Sequence, residues 1–385
     1  MVAGSEGRIA ALARLSSRPA KDQLSDLYVS AAAIMIPLTI AAHALLPPRF
    51  SSDSATLQRV ATGEYQPLED TSYLYVGRLY AWLGMAERPW AATVLGIGLA
   101  IVGLYVALRR ARGAATVPVY LLVGLYVMTA SVYLGIYSKD VWALLVVLVV
   151  LLAAPGWRGE LAIIATVCSY AYFLRSYWFL VLLIYLGLRL LTAVRLHRSR
   201  VLVGLVVVLA AVTVLSPIVL GTPVQDIRES VNLSRLGTPD ASTAIWAPEF
   251  GLGQAGDVVE NAALLAGLVV PVDLLRLGSP EYALYFLVIV SVWAVFARSV
   301  FFGRGRIFDG RPTDRADPQV LRAALLAVAF VTTQGFFEPD YGSYLRHLTP
   351  VLLLIIVAVV GHPGSVFMAR DRSGGGVPGA PPPGR

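Results

Sequence analysis

Two cations punctuate an apolar chain at very short turns. Lys139 lies in Tyr137-Ser138-Lys139-Asp140 and Arg175 in Arg175-Ser176-Tyr177-Trp178, each between long apolar runs with almost no loop. Such cations are held at or just below a membrane interface, where they are costly unless paired or wet and mark a functional site by default. A third polar stretch, Glu338-Pro339-Asp340-Tyr341-Gly342-Ser343-Tyr344-Leu345-Arg346-His347, carries two acids, two tyrosines, an arginine and a histidine between apolar runs. At helical spacing Asp340, Tyr344 and His347 share a face. Asp53, in Arg49-Phe50-Ser51-Ser52-Asp53-Ser54, is a carboxylate able to act as general base.

Each of these groups has a plainer reading. Arg175 can simply snorkel to lipid headgroups. Lys139 beside Asp140 reads equally as a local ion pair or a helix cap. Ser52, Asp53 or Ser54 can cap a short helix over 55–62, and tyrosines at 338–347 are ordinary headgroup-level residues. No metal-ligand cluster is visible, because His43, His197, His347 and His362 are scattered without ligand spacing. No cofactor is expected either: Gly303-Arg304-Gly305-Arg306 is a basic turn and not a phosphate-cradling glycine loop.

The elements that must position these residues are membrane helices. The chain has 385 residues, 57% hydrophobic and 14% charged, against about 25% charged in soluble domains. Apolar runs recur from 27 to 360, each near the ~20 residues that cross the hydrocarbon core. They are continuous rather than alternating, which selects helices over a barrel. The fold class is therefore all-α, a polytopic transmembrane helical bundle. Residues 1–26 read as a basic cytoplasmic arm, 27–360 as the membrane domain with outer loops 47–89 and 221–281, and 361–385 as a disordered Gly/Pro-rich tail. No cleavable signal peptide is evident, and Cys168, the single cysteine, excludes an internal disulfide.

The formal charge of +7 does not point to nucleic acid, because the arginines gather in short loops that set orientation. Arg109, Arg110 and Arg112 form one cluster, Arg195, Arg198 and Arg200 a second, and Arg304, Arg306, Arg311 and Arg315 a third. All three lie with the N-terminus in the cytoplasm if 258–275, interrupted by Pro271 and Asp273, fails to cross completely. That gives about ten spans, both termini inside, with 73–85 and 258–275 re-entrant or interfacial. Asp53, Lys139, Arg175 and 338–347 then all fall on the outer face, as does the mixed-charge loop 226–261 with Arg228, Arg235, Asp240 and Glu249.

On these motifs the chain resembles bacterial polysaccharide polymerases of the Wzy and EpsG type and, more loosely, C-type polytopic membrane glycosyltransferases. The shared layout is many spans, an acid just past the first helix, a Ser-Lys-Asp turn, an Arg-Ser-Tyr turn and a late outer motif with Arg and His. The resemblance implies a plasma-membrane enzyme of the cell envelope. It would take a polyprenyl-(di)phosphate-linked saccharide donor and a glycan acceptor at the outer leaflet. Lys139, Arg175 and Arg346, with Tyr344, would bind substrate, the cations taking the phosphate. Asp53, Asp340 or His347 would serve as base. Asp53 has no neighbouring acid in a metal-binding pattern. The alternative is a transporter or flippase of lipid-linked glycan, although no internal repeat is visible. On this topology, single cysteines at Gly113, Ser199 and Thr313 are shielded from an impermeant thiol reagent in intact cells, and those at Thr62 and Thr243 are labelled. Labelling at Thr313 would dissolve the common outer face.

Overall fold

The computed structural model describes residues 20–67, 71–109, 115–234, 243–248, 250–251, 253–302, 307–313 and 316–361. Most of the expected arm (1–19), Arg110, Arg112, Arg235, Asp240, Glu249, Arg304, Arg306, Arg315, His362 and the tail from 362 lie outside the described residues. In chain order the elements are α1 (Ala20–Leu45), a 3₁₀ turn (Pro48–Ser51), α2 (Ser52–Ala61), α3 (Thr71–Trp82), α4 (Pro89–Arg109), α5 (Val117–Tyr133), α6 (Asp140–Leu152) and α7 (Trp157–Phe173). They continue as α8 (Trp178–Leu191), β1 (Arg195–His197), α9 (Arg198–Leu220), α10 (Val224–Ser234), α11 (Gln254–Val269) and α12 (Val272–Arg276). The last are α13 (Pro280–Ala297), extended by a π turn to Phe302, then β2 (Asp309–Pro312), α14 (Pro318–Phe337) and α15 (Tyr341–Val360).

The chain is an all-α helical membrane protein. Helices α1, α4, α9, α13, α14 and α15 are long and apolar enough to cross a bilayer, and α5, α6 and α8 are shorter apolar helices. Helix α1 begins at Ala20, inside the segment expected as an arm, with Asp22 in its first turn, where the helix dipole favours an acid. Of the segments expected as outer loops, 47–89 holds α2 and α3 and 221–281 holds α10 to α12. The stretch 338–347 is mostly helix: α15 starts at Tyr341, directly after Pro339 stops α14.

Helices α14 and α15 form the central hairpin. Both are enclosed by neighbours along nearly their whole length, as expected of helices apolar on every face. Helices α4, α5, α6 and α13 surround α15, and α8 and α11 pack on α14. The hairpin's turn is strapped by residues 243–248, where Ile245 N donates to Pro339 O at 2.8 Å and Asn232 Nδ2 to Ile245 O at 3.0 Å. Gly96 lets α4 reach the end of α5, since a Cβ there would fall on the Leu134 carbonyl oxygen. That close approach fixes the start of the 134–140 turn. Gly77 lets α3 press against the Val60 side chain of α2, so the two short helices form one tight pair.

At the far end of the bundle β1 pairs antiparallel with β2, matching Arg195 with Pro312 and His197 with Asp309. The segment of the second basic cluster thus lies beside residues 309–312. Nearby, Arg322 of α14 is completely buried, donating through Nε to Glu160 Oε1 (3.0 Å) and through its two terminal nitrogens to the Ala153, Ala154 and Gly156 carbonyls. Arg189 Nη2 and Tyr185 OH donate to the same carboxylate at 2.6 and 2.7 Å. Removing one partner of a buried pair strands the other. Glu160→Gln is therefore expected to cost about 1–3 kcal/mol, seen as a lower unfolding temperature in detergent, and adding Arg322→Met should recover part of the loss. No recovery in the double variant would show that the charges are not coupled.

Candidate functional site

One cavity of about 490 Å³ opens where the helix ends gather around the α14–α15 turn. It is lined by Asp53, Lys139, Arg175, Asp340, Arg346 and His347, six of the seven residues singled out from the sequence. Thr243, before α11, and Glu281, at the start of α13, line it too. The chain thus leaves and returns to the same end across α11 and α12.

The cationic part is an alternating chain of charges. Asp140, the first residue of α6, is nearly buried and receives Arg175 Nη2 at 3.2 Å on both oxygens. Its Oδ2 also faces Arg346 Nε at 3.4 Å. Arg346, on the second turn of α15, reaches onward through Nη1 to Asp53 Oδ2. Tyr73 of α3 donates to Asp53 Oδ1 at 2.7 Å. The expected local pairing of Lys139 with Asp140 does not form. The lysine Nζ instead donates to Ser72 Oγ at 2.5 Å and lies 3.3 Å over the Tyr73 ring, while the aspartate turns to the two guanidiniums. Arg175 Nε is buried with no hydrogen-bond partner among the described residues.

Burial alone would raise the Asp53 carboxyl, but the Arg346 guanidinium and the Tyr73 hydrogen bond outweigh it and hold the group well below the usual carboxylate range. Burial and the adjacent Asp53 push the Tyr73 phenol up, so it remains a donor. Asp53 is not the cap of α2: the capping position is Ser51, and Asp53 belongs to the first turn.

The second part is a histidine–carboxylate pair. His347 Nδ1 lies 2.8 Å from Glu338 Oε2, both residues nearly buried. Arg346, the sequence neighbour, points to Asp53, so Glu338 and not the arginine faces the imidazole. The Tyr177 ring stands 6.2 Å from it. Burial drives the Tyr177 phenol up to about 12, against the opposing pull of Arg175.

Two expectations are corrected here. Asp340 caps α15, accepting Ser343 N and Ser343 Oγ, both at 2.7 Å. Its backbone is extended rather than helical, so it does not follow the helical register assumed for it. Tyr344 does not line the cavity; it is buried against α13 and accepts Trp293 Nε1 at 2.7 Å. Three residues along a helix rotate the side chain by about 60° from the starting direction, enough to separate Tyr344 from His347. Sequence reasoning missed Tyr73, Gln334 and Glu281 in the lining and the pairing roles of Asp140 and Glu338. Only Glu338 left a local signal, its place beside His347 in one polar stretch. Among the described residues no three His, Cys, Asp or Glu side chains are grouped to hold a metal.

A carboxyl depressed by folding adds stability where the unfolded chain is also ionised and loses it as protons bind the unfolded form. The Asp53–Arg346 contribution is thus complete well above the ordinary aspartate value of about 3.9 and fades below it. Asp53→Asn should lower the unfolding temperature near neutral pH, with a gap to wild type that narrows toward about pH 3. A gap that does not change over this range would contradict the pairing. No family model matches the chain, and neither a curated protein nor a solved structure does.

Proposed function

We propose that this protein is a membrane glycosyltransferase of the polysaccharide-polymerase type, acting on polyprenyl-(di)phosphate-linked sugars at the outer face of the plasma membrane. The observation that carries the reading is the sharing of one cavity by three cations and a histidine–carboxylate pair. Lys139, Arg175 and Arg346 suit an anionic leaving group, and Arg175 Nε retains an unspent donor for it. About ten spans with cytoplasmic termini would set this cavity at the outer leaflet, with α3 and α11–α12 interfacial or re-entrant.

The step follows from the residues. An acceptor hydroxyl oxygen attacks the anomeric carbon of the donor sugar as its bond to the phosphate oxygen breaks. The bonding pair leaves with the (di)phosphate, neutralised by Arg175, Lys139 and Arg346. The hydroxyl proton passes to His347 Nε2, and Glu338 orients the ring and stabilises the imidazolium. Asp53 is a poor base while Arg346 holds its carboxyl ionised, and both Asp340 oxygens are taken by the helix cap. A flippase would place its site near the middle of the bundle. Here the lining comes from helix ends: Asp53 after α1, Lys139 before α6, Arg175 before α8 and Arg346 early in α15.

In a purified assay with lipid-linked donor, His347→Gln should lower turnover by about 10²–10⁴ with donor binding kept. Arg175→Lys should weaken the donor even though charge is retained, because the planar fork is lost. Near wild-type turnover in both His347→Gln and Asp53→Asn would remove the enzyme reading.

A further inference from the structure

Helix α14 handles its polar side chains with economy, with one exception. Arg322 is bound by Glu160 and three carbonyls, and the Thr332 and Thr333 hydroxyls donate to Val328 O and Ala329 O at 2.8 and 3.0 Å. Gln334 is 2% exposed and lines the cavity, yet its Nε2 finds no hydrogen-bond partner among the described residues. A buried amide donor without an acceptor costs about 1–3 kcal/mol, whereas an apolar side chain of the same length would cost nothing there. The position is one helical turn before Glu338, whose backbone N–H donates to Gln334 O at 2.9 Å. That bond ties the Gln334 backbone to the residue that pairs with His347.

The uncharged lining of the cavity has the chemistry of polyol recognition. Tyr133 of α5 and Tyr282 and Tyr285 of α13 line it, with the Tyr133 and Tyr285 hydroxyls 3.5 Å apart. Aromatic faces are apolar platforms whose phenol tips still hydrogen-bond. Glu281 adds a carboxylate acceptor and Thr243 a hydroxyl. A neutral amide among phenols suits neutral oxygen acceptors, as the cations suit an anionic group.

We infer that Gln334, with the Tyr133–Tyr285 wall, forms the subsite for the sugar ring, its amide donating to a ring or substituent oxygen of the saccharide next to His347. The inference rests on the proposed function for the identity of the saccharide's carrier, though not for the subsite itself. Gln334 is a specificity residue: it supplies neutral donor contacts and takes no part in holding the phosphate.

The test measures binding to the full chain in nanodiscs. The probes are undecaprenyl phosphate, the same lipid carrying glucose, galactose, mannose or N-acetylglucosamine, and the methyl glycosides of those sugars. At least one sugar-bearing lipid should bind wild type more tightly than the bare lipid. Gln334→Met should erase that margin, a weakening of about 3–10-fold for one neutral hydrogen bond, with bare-lipid binding unchanged. The variant's ligand-free unfolding temperature should be equal to or above that of wild type, since a stranded buried donor is gone. A structural amide or one satisfied by a trapped water would instead lower it. Such a drop, a margin that survives the substitution, or the absence of any margin across the panel overturns the subsite. If Gln334→Met does not yield folded protein, Gln334→Asn, which keeps the amide and withdraws it, must show the same lost margin or the proposal fails. Failure of the phosphate reading is read separately. If bare lipid phosphate does not bind while a methyl glycoside binds wild type and not the Gln334 variant, the sugar subsite stands and the lipid-phosphate donor does not.

Discussion

Asp140 is the group on which the site's geometry turns. Its carboxylate is almost shut off from solvent and lies between two guanidiniums, Arg175 from the α7–α8 turn and Arg346 from α15. A carboxylate or guanidinium in that setting is tolerable only beside its opposite charge. Three separate parts of the chain are therefore obliged to meet, and Asp53 brings the α2–α3 pair to the same place. The far end of the bundle obeys the same constraint, with Glu160 gathering Arg189 and Arg322. Between the two clusters the helices are apolar. Buried ion groups of this kind add little net stability over apolar packing, but mispairing them is very costly. Their effect is to exclude other arrangements of the helix ends.

The course of the helices was legible because bilayer-spanning backbone must satisfy itself, so every long apolar run had to be helical. Helices α4, α9 and α14 each occupy such a run between 27 and 360. Prolines and caps were harder. The polar composition of 338–347 suggested a site but did not reveal that Asp340 would cap α15, because capping depends on where the helix begins and not on which polar residues are present. Pairings were the least legible. Asp53 and Arg346 are 293 residues apart and Asp140 and Arg175 are 35 apart, and no local spacing encodes either contact. Lys139 shows the hazard, since its adjacent acid was the obvious partner, yet two guanidiniums claim that acid and the lysine turns to Ser72 and Tyr73. Tyr73 itself lay in an aromatic segment with nothing to distinguish it from an interface anchor.

The same pairing bears on how the cavity would receive an anion. Three cations held close together repel one another unless acids intervene, and Asp53 and Asp140 fill that role. The two acids are not equivalent. Asp140 is held by both guanidiniums and by the Ser138 hydroxyl, with 4% of its side chain exposed; Asp53 is 36% exposed and rides on a short helix that packs chiefly on α3. A phosphate competing for Arg346 would meet the least resistance by displacing Asp53, leaving Asp140 to keep Arg175 and Arg346 in register. On the proposed reading, Asp53 is thus a counter-ion that yields to substrate. A base must hold a proton affinity suited to the working pH throughout the step, and a carboxylate whose affinity is suppressed by the arginine it neutralises does not meet that condition before the donor arrives. On the proposed reading the His347–Glu338 pair takes the proton and the guanidiniums take the phosphate, so the two tasks fall to different groups of one cavity.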